Sequence, residues 1–451
     1  MIKRILAAVA AISILVVGGF WWLAGLSPVQ LPSALALGTG LGAKLACSGR
    51  YLSGFDQQRI EDDVASYSAL TRSLRYRSLP DGGVSASMLG RESIARYRPG
   101  LGCTLEYDGS SALDGVRMPT SRADSPALWP QGDSAGPPDT AMQGLLEEIL
   151  TADNAAGLDT RALLVAHRGR ILGEVYAEGI DADTPLLGWS MGKSVVAIML
   201  GRLEMLGLLD TAERGLFPAW REDERAQISL ENMLQMTSGL RFEEDYIPGS
   251  DSTRMLFAAP SAASVAMGSS AERPPGTHFY YSSGTTNLLS LLVFERVGGS
   301  AQAQIDFFHD EIARPLALRG TILEPDASGV FVGSSFVYAP ARDWARFGQL
   351  LLDEGQLNGR RLLAADWVAR ARQPNTSDND GRYGYQLWLN DGGSEQWWPS
   401  LPRSAFAMQG NRRQVVMILP EQNAVIVRLG WTAGDYPADE NFARIIAALD
   451  N

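Results

Sequence analysis

The stretch LLGWSMGKSVVAIML, residues 186–200, puts a serine three residues ahead of a lysine where an apolar helix begins. On a helix, positions i and i+3 lie on one face about a turn apart, so Ser190 and Lys193 can meet. Lysine is scarce here: the chain has Lys3, Lys44 and Lys193 and no other. The first two lie in or near the N-terminal apolar region, which leaves Lys193 as the one lysine of the remaining body. Arginine carries nearly all the other positive charge. A site that needs only a cation takes arginine in this chain; a site that must lose a proton near neutral pH needs lysine. Ser190 falls at the first turn, where free N–H groups favour developing negative charge. Its hydroxyl becomes a nucleophile when a neighbour removes its proton, and a lysine depressed by burial can do so. The bland alternative is an N-cap serine followed by a solvated lysine. The apolar flanks LLGW and VVAIML speak against it, while Ser194 is expected to pack or cap.

The chain of 451 residues is long enough for a substantial core and two or three structural units. Its apolar fraction of 45% is ordinary, and its net charge of −12 argues against a nucleic-acid partner. His167, His278 and His309 are scattered, with no H-E-x-x-H among them, so no metal site is expected.

After MIKR come about twenty-two residues without a charge, ILAAVAAISILVVGGFWWLAGL. A signal-peptide core is about 7–15 residues and a spanning helix about 20, so residues 1–26 are expected to be a retained transmembrane anchor. The rival is a signal peptide cleaved near ALALG, after Ala36. In both cases Lys3 and Arg4 stay in the cytoplasm and the body is exported, to the bacterial periplasm or the outer face of the inner membrane. In that compartment Cys47 and Cys103 are expected to form a disulfide.

Residues 45–115 read as a small α/β unit, and the Pro-, Gly-, Ser- and Asp-rich stretch 116–139 as a linker. From 140 onward the order is a helix, a hairpin (RALLVAHRG and RILGEVYAEG), a long helical middle, and antiparallel strands with a terminal helix. The late strands are expected in RYGYQLWLN, SAFAMQG, RQVVMILPEQ and AVIVRLG. ISLENMLQMTSGL reads as a Ser229-capped helix ending at glycine.

A second motif-bearing stretch is RPPGTHFYYSSGTTNLLSLLVFERVGG, where Tyr281 and Ser283 stand two apart before an apolar helix. A phenol near a lysine ammonium can relay a proton. Together WSMGKS, MTSGL, PGTHFYYSS with its following helix, and YAPARDWARFGQLLL resemble the serine beta-lactamase and penicillin-recognising transpeptidase superfamily. The likeness is to the class C-like branch that holds 6-aminohexanoate-dimer hydrolases and related esterases, and it covers roughly residues 140–450.

That resemblance implies an α+β fold, an antiparallel sheet flanked by helices beside an all-helical region, here with a small N-terminal extension. It places Ser190 on the nucleophile, Lys193 on its base and Tyr281 on the tyrosine of Tyr-x-Asn, with Ser283 where asparagine is usual. The third element, Lys-Thr-Gly or His-x-Gly, is expected at Asn411–Arg413. Arg413 then stands in the glycine position, with Gly410 ahead of the triplet expected to supply some of the missing room, and the oxyanion rests between the N–H groups of Ser190 and Gln414. Arg412 or Arg413 could hold an anionic end of the substrate. The implied activity is acyl transfer to Ser190 from a small ester, amide or lactam, without metal or cofactor. The alternatives are a beta-lactamase or D-alanyl-D-alanine carboxypeptidase, and a non-catalytic sensing or interaction module.

Overall fold

A computed structural model of the chain describes residues 30–107, 112–120 and 123–449. The expected anchor or signal segment, 1–26, lies outside the described residues, as does the residue pair Lys3 and Arg4. Among the described residues no helix is long and apolar enough to cross a membrane.

The first element is helix α1, Leu31–Tyr51, which starts fourteen residues ahead of the expected unit and runs through Ala36 without a break. Its small residues let it approach its neighbours closely. A Cβ on Gly40 would lie 2.1 Å from the backbone oxygen of Phe257. Helix α2, Gln57–Ala65, is capped by Asp56, which accepts from the N–H of Arg59. Strands β1 (Arg75–Ser78), β2 (Val84–Met88), β3 (Arg91–Arg98) and β4 (Gly102–Leu105) then form an antiparallel meander against which α1 packs.

Lys44 corrects the sequence reading. It belongs to the folded body, at 2% exposure, and pairs with Glu324, itself at 0%. Glu324 also accepts from Ser48 Oγ at 2.7 Å and from the Cys103 N–H at 2.6 Å. One turn along α1, Cys47 is joined to Cys103 by a disulfide. A covalent bond and a buried ion pair thus fasten α1 to β4 and to the main body.

The main body is built on a six-stranded antiparallel sheet. Helix α3, Thr140–Ala155, precedes the hairpin of β5 (Thr160–His167) and β6 (Arg170–Tyr176). The later strands are β7 (Trp388–Leu389), β8 (Phe406–Gly410), β9 (Gln414–Leu419) and β10 (Ala424–Gly430), in the order β7-β8-β9-β10-β5-β6. QVVMIL and AVIVRLG are apolar on both faces because both faces are covered. On one side α3 and the terminal helix Ala438–Leu449 bring Leu146, Ile149, Phe442 and Ile445 against Leu163, Met417 and Ile426. On the other side the helix Ala341–Leu352 packs against β9 and β10. The segment RYGYQLWLN is a strand only at Trp388–Leu389. It doubles back, bridging Tyr383 to Trp388, with Gln386 at positive φ.

Among its described residues the expected linker 116–139 has no helix or ladder strand, yet it is packed onto the body. Trp129 is buried and donates to the Arg342 carbonyl, and Arg346 donates to Pro130 O at 3.0 Å. The Ser229 cap is present as a full capping box with Asn232, but its helix stops at Leu234, short of the glycine.

Candidate active site

Ser190 sits in a single tight turn, Trp189–Met191, which leads into helix α4, Gly192–Met205. Trp189 takes a left-handed φ of +48°, an uncommon conformation for a bulky residue. Its indole is wedged among Tyr67, Phe336 and Trp431, with centroids 6.1–6.2 Å away. The turn is therefore held by packing, and it leaves Ser190 partly open while its neighbours are buried.

One turn on, Lys193 is 1% exposed. Its ammonium nitrogen reaches Ser190 Oγ at 3.1 Å, Ser283 Oγ at 2.9 Å and the Ser334 carbonyl at 3.0 Å. Burial lowers its pKa to about 8, against the attraction of Glu244, which raises it. Ser194 points elsewhere and donates to Gln386 O at 2.6 Å.

Ser283 is the first residue of helix α5, Ser283–Arg296, whose cap is Ser282. Its N–H donates to Glu244 Oε2 at 2.7 Å and its hydroxyl to Oε1 at 2.5 Å. Tyr281 comes just before the cap. Its ring stacks on Trp388 at 5.3 Å and lies 4.9 Å from the Lys193 nitrogen. Burial pushes the Tyr281 phenol well above its usual range, against a hydrogen bond to Ser190 that lowers it. The phenol is therefore a proton donor at neutral pH, which differs from the phenolate that the lysine alone would favour.

The third element is displaced from its expected place. A Cβ on Gly410 would lie 2.1 Å from Gly188 O and 3.2 Å from the Ser190 nitrogen. The glycine that keeps the strand edge clear beside Ser190 is thus Gly410, at the end of β8, three residues before Arg413. Asn411, Arg412 and Arg413 form the turn to β9, the last two at φ +59° and +62°. Arg413 faces outward and pairs with Asp435 and Gly434 O. The Gln414 side chain is tied to Gly430 on β10, and its backbone pairs with Gly410 across the β8–β9 hairpin. The structure therefore brings together Ser190, Lys193, Tyr281 and Ser283, with Asn411 lining a cavity beside Trp189, and turns the Arg413 side chain outward to Asp435.

Glu244 escapes the sequence reading. Glu244 stands in RFEEDYIPGS, 39 residues from Ser283, where nothing in the spacing singles out one acid of three. Gly410, expected to supply some of the room that Arg413 takes away, does so by its close approach to Gly188 O.

The profile of the beta-lactamase family matches residues 145–450. The chain belongs to the beta-lactamase family. The 6-aminohexanoate-dimer hydrolase of Paenarthrobacter ureafaciens is 25% identical over 293 residues, 61% of this chain and 74% of that one. Two solved structures share the fold. One is a family VIII carboxylesterase, with TM-score 0.55 and 14% identity, covering 69% of this chain and 99% of the other. The second is a hydrolase with promiscuous acyltransferase activity, with TM-score 0.55 and 16% identity, covering 69% and 100%. The family match begins within α3, so α1, α2 and the β1–β4 meander lie before it.

Proposed function

We propose that this chain is an exported serine hydrolase that forms an acyl-enzyme on Ser190 with an ester or amide substrate. The observation that carries the reading is a buried lysine, lowered to about 8, within 3.1 Å of a partly open serine hydroxyl. With that pKa, about one-tenth of Lys193 is unprotonated at pH 7. Neutral Lys193 takes the Ser190 proton as Oγ attacks the substrate carbonyl carbon. The oxyanion forms beside the Ser190 N–H, at the β8 edge that Gly410 leaves clear. As the bond to the leaving oxygen or nitrogen breaks, Tyr281 gives it a proton and is reprotonated by Lys193. Water then attacks the acyl carbon, passes its proton to the same pair, and frees the acid and Ser190. Relatives named as a carboxylesterase and a 6-aminohexanoate-dimer hydrolase support ester and amide bonds as the target class. Export is supported by the Cys47–Cys103 disulfide, since such bonds persist in oxidising compartments.

A fluorophosphonate probe with intact-mass readout tests the nucleophile. Wild type is expected to gain one adduct and Ser190→Ala none; an unlabelled wild type refutes the reading. A panel of ester, linear amide and lactam substrates then separates esterase or amidase from beta-lactamase. Thiol trapping in fractionated cells checks export, which predicts oxidised cysteines outside the cytoplasm.

A further inference from the structure

Two turns meet beside the Ser190 N–H, and both are strained. Trp189, just ahead of Ser190, has φ +48°, and Arg412, just past Gly410 and Asn411, has φ +59°. Large side chains rarely adopt that conformation, and it persists only where the surroundings over-determine it. Gly410 brings the two turns together, since a Cβ there would lie 2.1 Å from Gly188 O and 3.2 Å from the Ser190 nitrogen. The spacing of this junction decides how the Ser190 N–H meets an oxyanion.

One ring bears closely on both turns. Tyr67 meets the Trp189 indole edge-on, with centroids 6.2 Å apart and planes at 66°. The Arg412 guanidinium lies 4.0 Å from the centre of the same ring, inside the cation–π range of about 6 Å. Trp431 backs the cluster, 5.9 Å from Tyr67 and 6.2 Å from Trp189, but stands farther from the guanidinium, at 5.7 Å. Arg412 is 7% exposed, so little water competes with the ring for its charge.

Tyr67 is itself fixed in place. Its N–H donates to Val64 O, in the last turn of α2, at 3.2 Å. Buried Thr71 closes the loop, with its hydroxyl 2.8 Å from both Val64 O and Ser68 O. Trp431, just past β10, donates from its indole to Asp63 O at 3.1 Å. The loop that carries Tyr67 is therefore tied both to α2 and to the main sheet. The family match begins at residue 145, so this ring comes from the unit ahead of it.

We propose that Tyr67 is a positioning residue for acyl transfer: it braces the nucleophile turn against the β8–β9 turn and so sets the spacing of the oxyanion site. This rests on Ser190 being the site of acyl transfer. Tyr67 acts through Trp189 and Arg412, not on the reacting atoms. With the ring present, the Ser190 N–H is already aimed when the tetrahedral intermediate forms, which is what a donor of this kind needs in order to lower the barrier. Without it, the two strained turns relax apart. Buried Arg428 still donates to the carbonyls of Arg412 and Arg413, at 3.1 Å each, so the change is one of spacing within a folded protein.

Steady-state kinetics of the full chain on phenyl acetate, a neutral ester, test it. Tyr67→Leu is expected to lower kcat about 10- to 100-fold, the scale of a displaced or lost oxyanion donor, with KM changed less than about 3-fold. The pH midpoint of fluorophosphonate labelling should stay in place, because the surroundings of Lys193 are untouched. Phenylboronic acid, whose boron bonds to Ser190 Oγ and puts an oxygen in the oxyanion site, should bind Tyr67→Leu more weakly by about the factor lost in kcat/KM. Tyr67→Phe, which keeps the ring, should restore both. A ring that only stabilises the fold would shift the denaturation midpoint and leave kcat and boronate affinity alone. Tyr67→Leu with wild-type kcat and boronate affinity, or Tyr67→Phe as impaired as Tyr67→Leu, overturns the proposal. If Tyr67→Leu does not fold, Arg412→Met decides: it leaves the ring and removes the cation, and should lower kcat about 3- to 10-fold on the same neutral ester. An unchanged kcat there overturns the proposal. Failure of the hydrolase reading shows separately, as a wild type that no fluorophosphonate labels.

Discussion

Glu244→Gln tests the electrostatic link between Glu244 and the lysine. Lys193 touches Ser283 at 2.9 Å, and Ser283 touches Glu244 at 2.5 Å. Laid end to end these bonds put the two charges about 5 Å apart, worth about 3 kcal/mol at an effective dielectric of about 20. That corresponds to about two pH units; water at the mouth of the site should reduce it to about one to two. Glu244 raises the Lys193 pKa, so its neutralisation lowers it from about 8. Labelling of Ser190 by a fluorophosphonate requires unprotonated Lys193, so its rate rises with pH through the lysine midpoint. In Glu244→Gln that rise should move about one to two units toward acid. The plateau should fall, because Ser283 loses a charged acceptor. The assay is the second-order labelling rate measured across pH. A midpoint that stays in place, or moves toward alkali, refutes the reasoning.

Lys193→Met should abolish labelling and raise stability. The lysine's folded pKa, about 8, lies below its free value of 10.5. The resulting cost to folding is full below about pH 8 and fades by about pH 10.5, so denaturant melts at pH 7 should show a gain of about 1–3 kcal/mol that vanishes near pH 10.5. Gly410→Ala forces a methyl group against Gly188 O; it should cost about 1–3 kcal/mol in thermal melts and slow labelling about 100-fold by displacing the Ser190 turn. Lys44→Met strands buried Glu324 and should cost about 3–5 kcal/mol by chemical denaturation, with the double variant Lys44→Met/Glu324→Gln recovering part of the loss.

The Ser190–Lys193 pair could be read from the sequence because its geometry is local: one helical turn and apolar flanks. Tyr281 and Ser283 were legible for a similar reason, standing just ahead of a strong helix. The sheet was legible because β9 and β10 are apolar runs too short for helices. Glu244 was not, since it reaches Ser283 only through the tertiary fold. The third element lies three residues ahead of its expected place. Asn411–Arg413 is a turn whose last two residues are left-handed, and a pair of arginines carries no signal for that conformation. Lys44 reads as part of the apolar terminus because the sequence does not reveal that Glu324, 280 positions away, neutralises it.

The region of homology and the region that must fold together are not the same. Within residues 145–450, buried Glu324 is neutralised by Lys44, a residue before the match, and Arg161 pairs with Asp63, also before it, as well as with Asp159. A chain cut at the family boundary keeps Ser190, Lys193 and Tyr281 but strands Glu324 and leaves Arg161 with Asp159 alone. At about 3–5 kcal/mol for the broken Lys44–Glu324 pair, that loss is a large part of the stability of a typical domain, about 5–15 kcal/mol. The segment ahead of the catalytic body is thus an obligate part of its folding unit, and any excised, grafted or recombined version of this enzyme has to carry it.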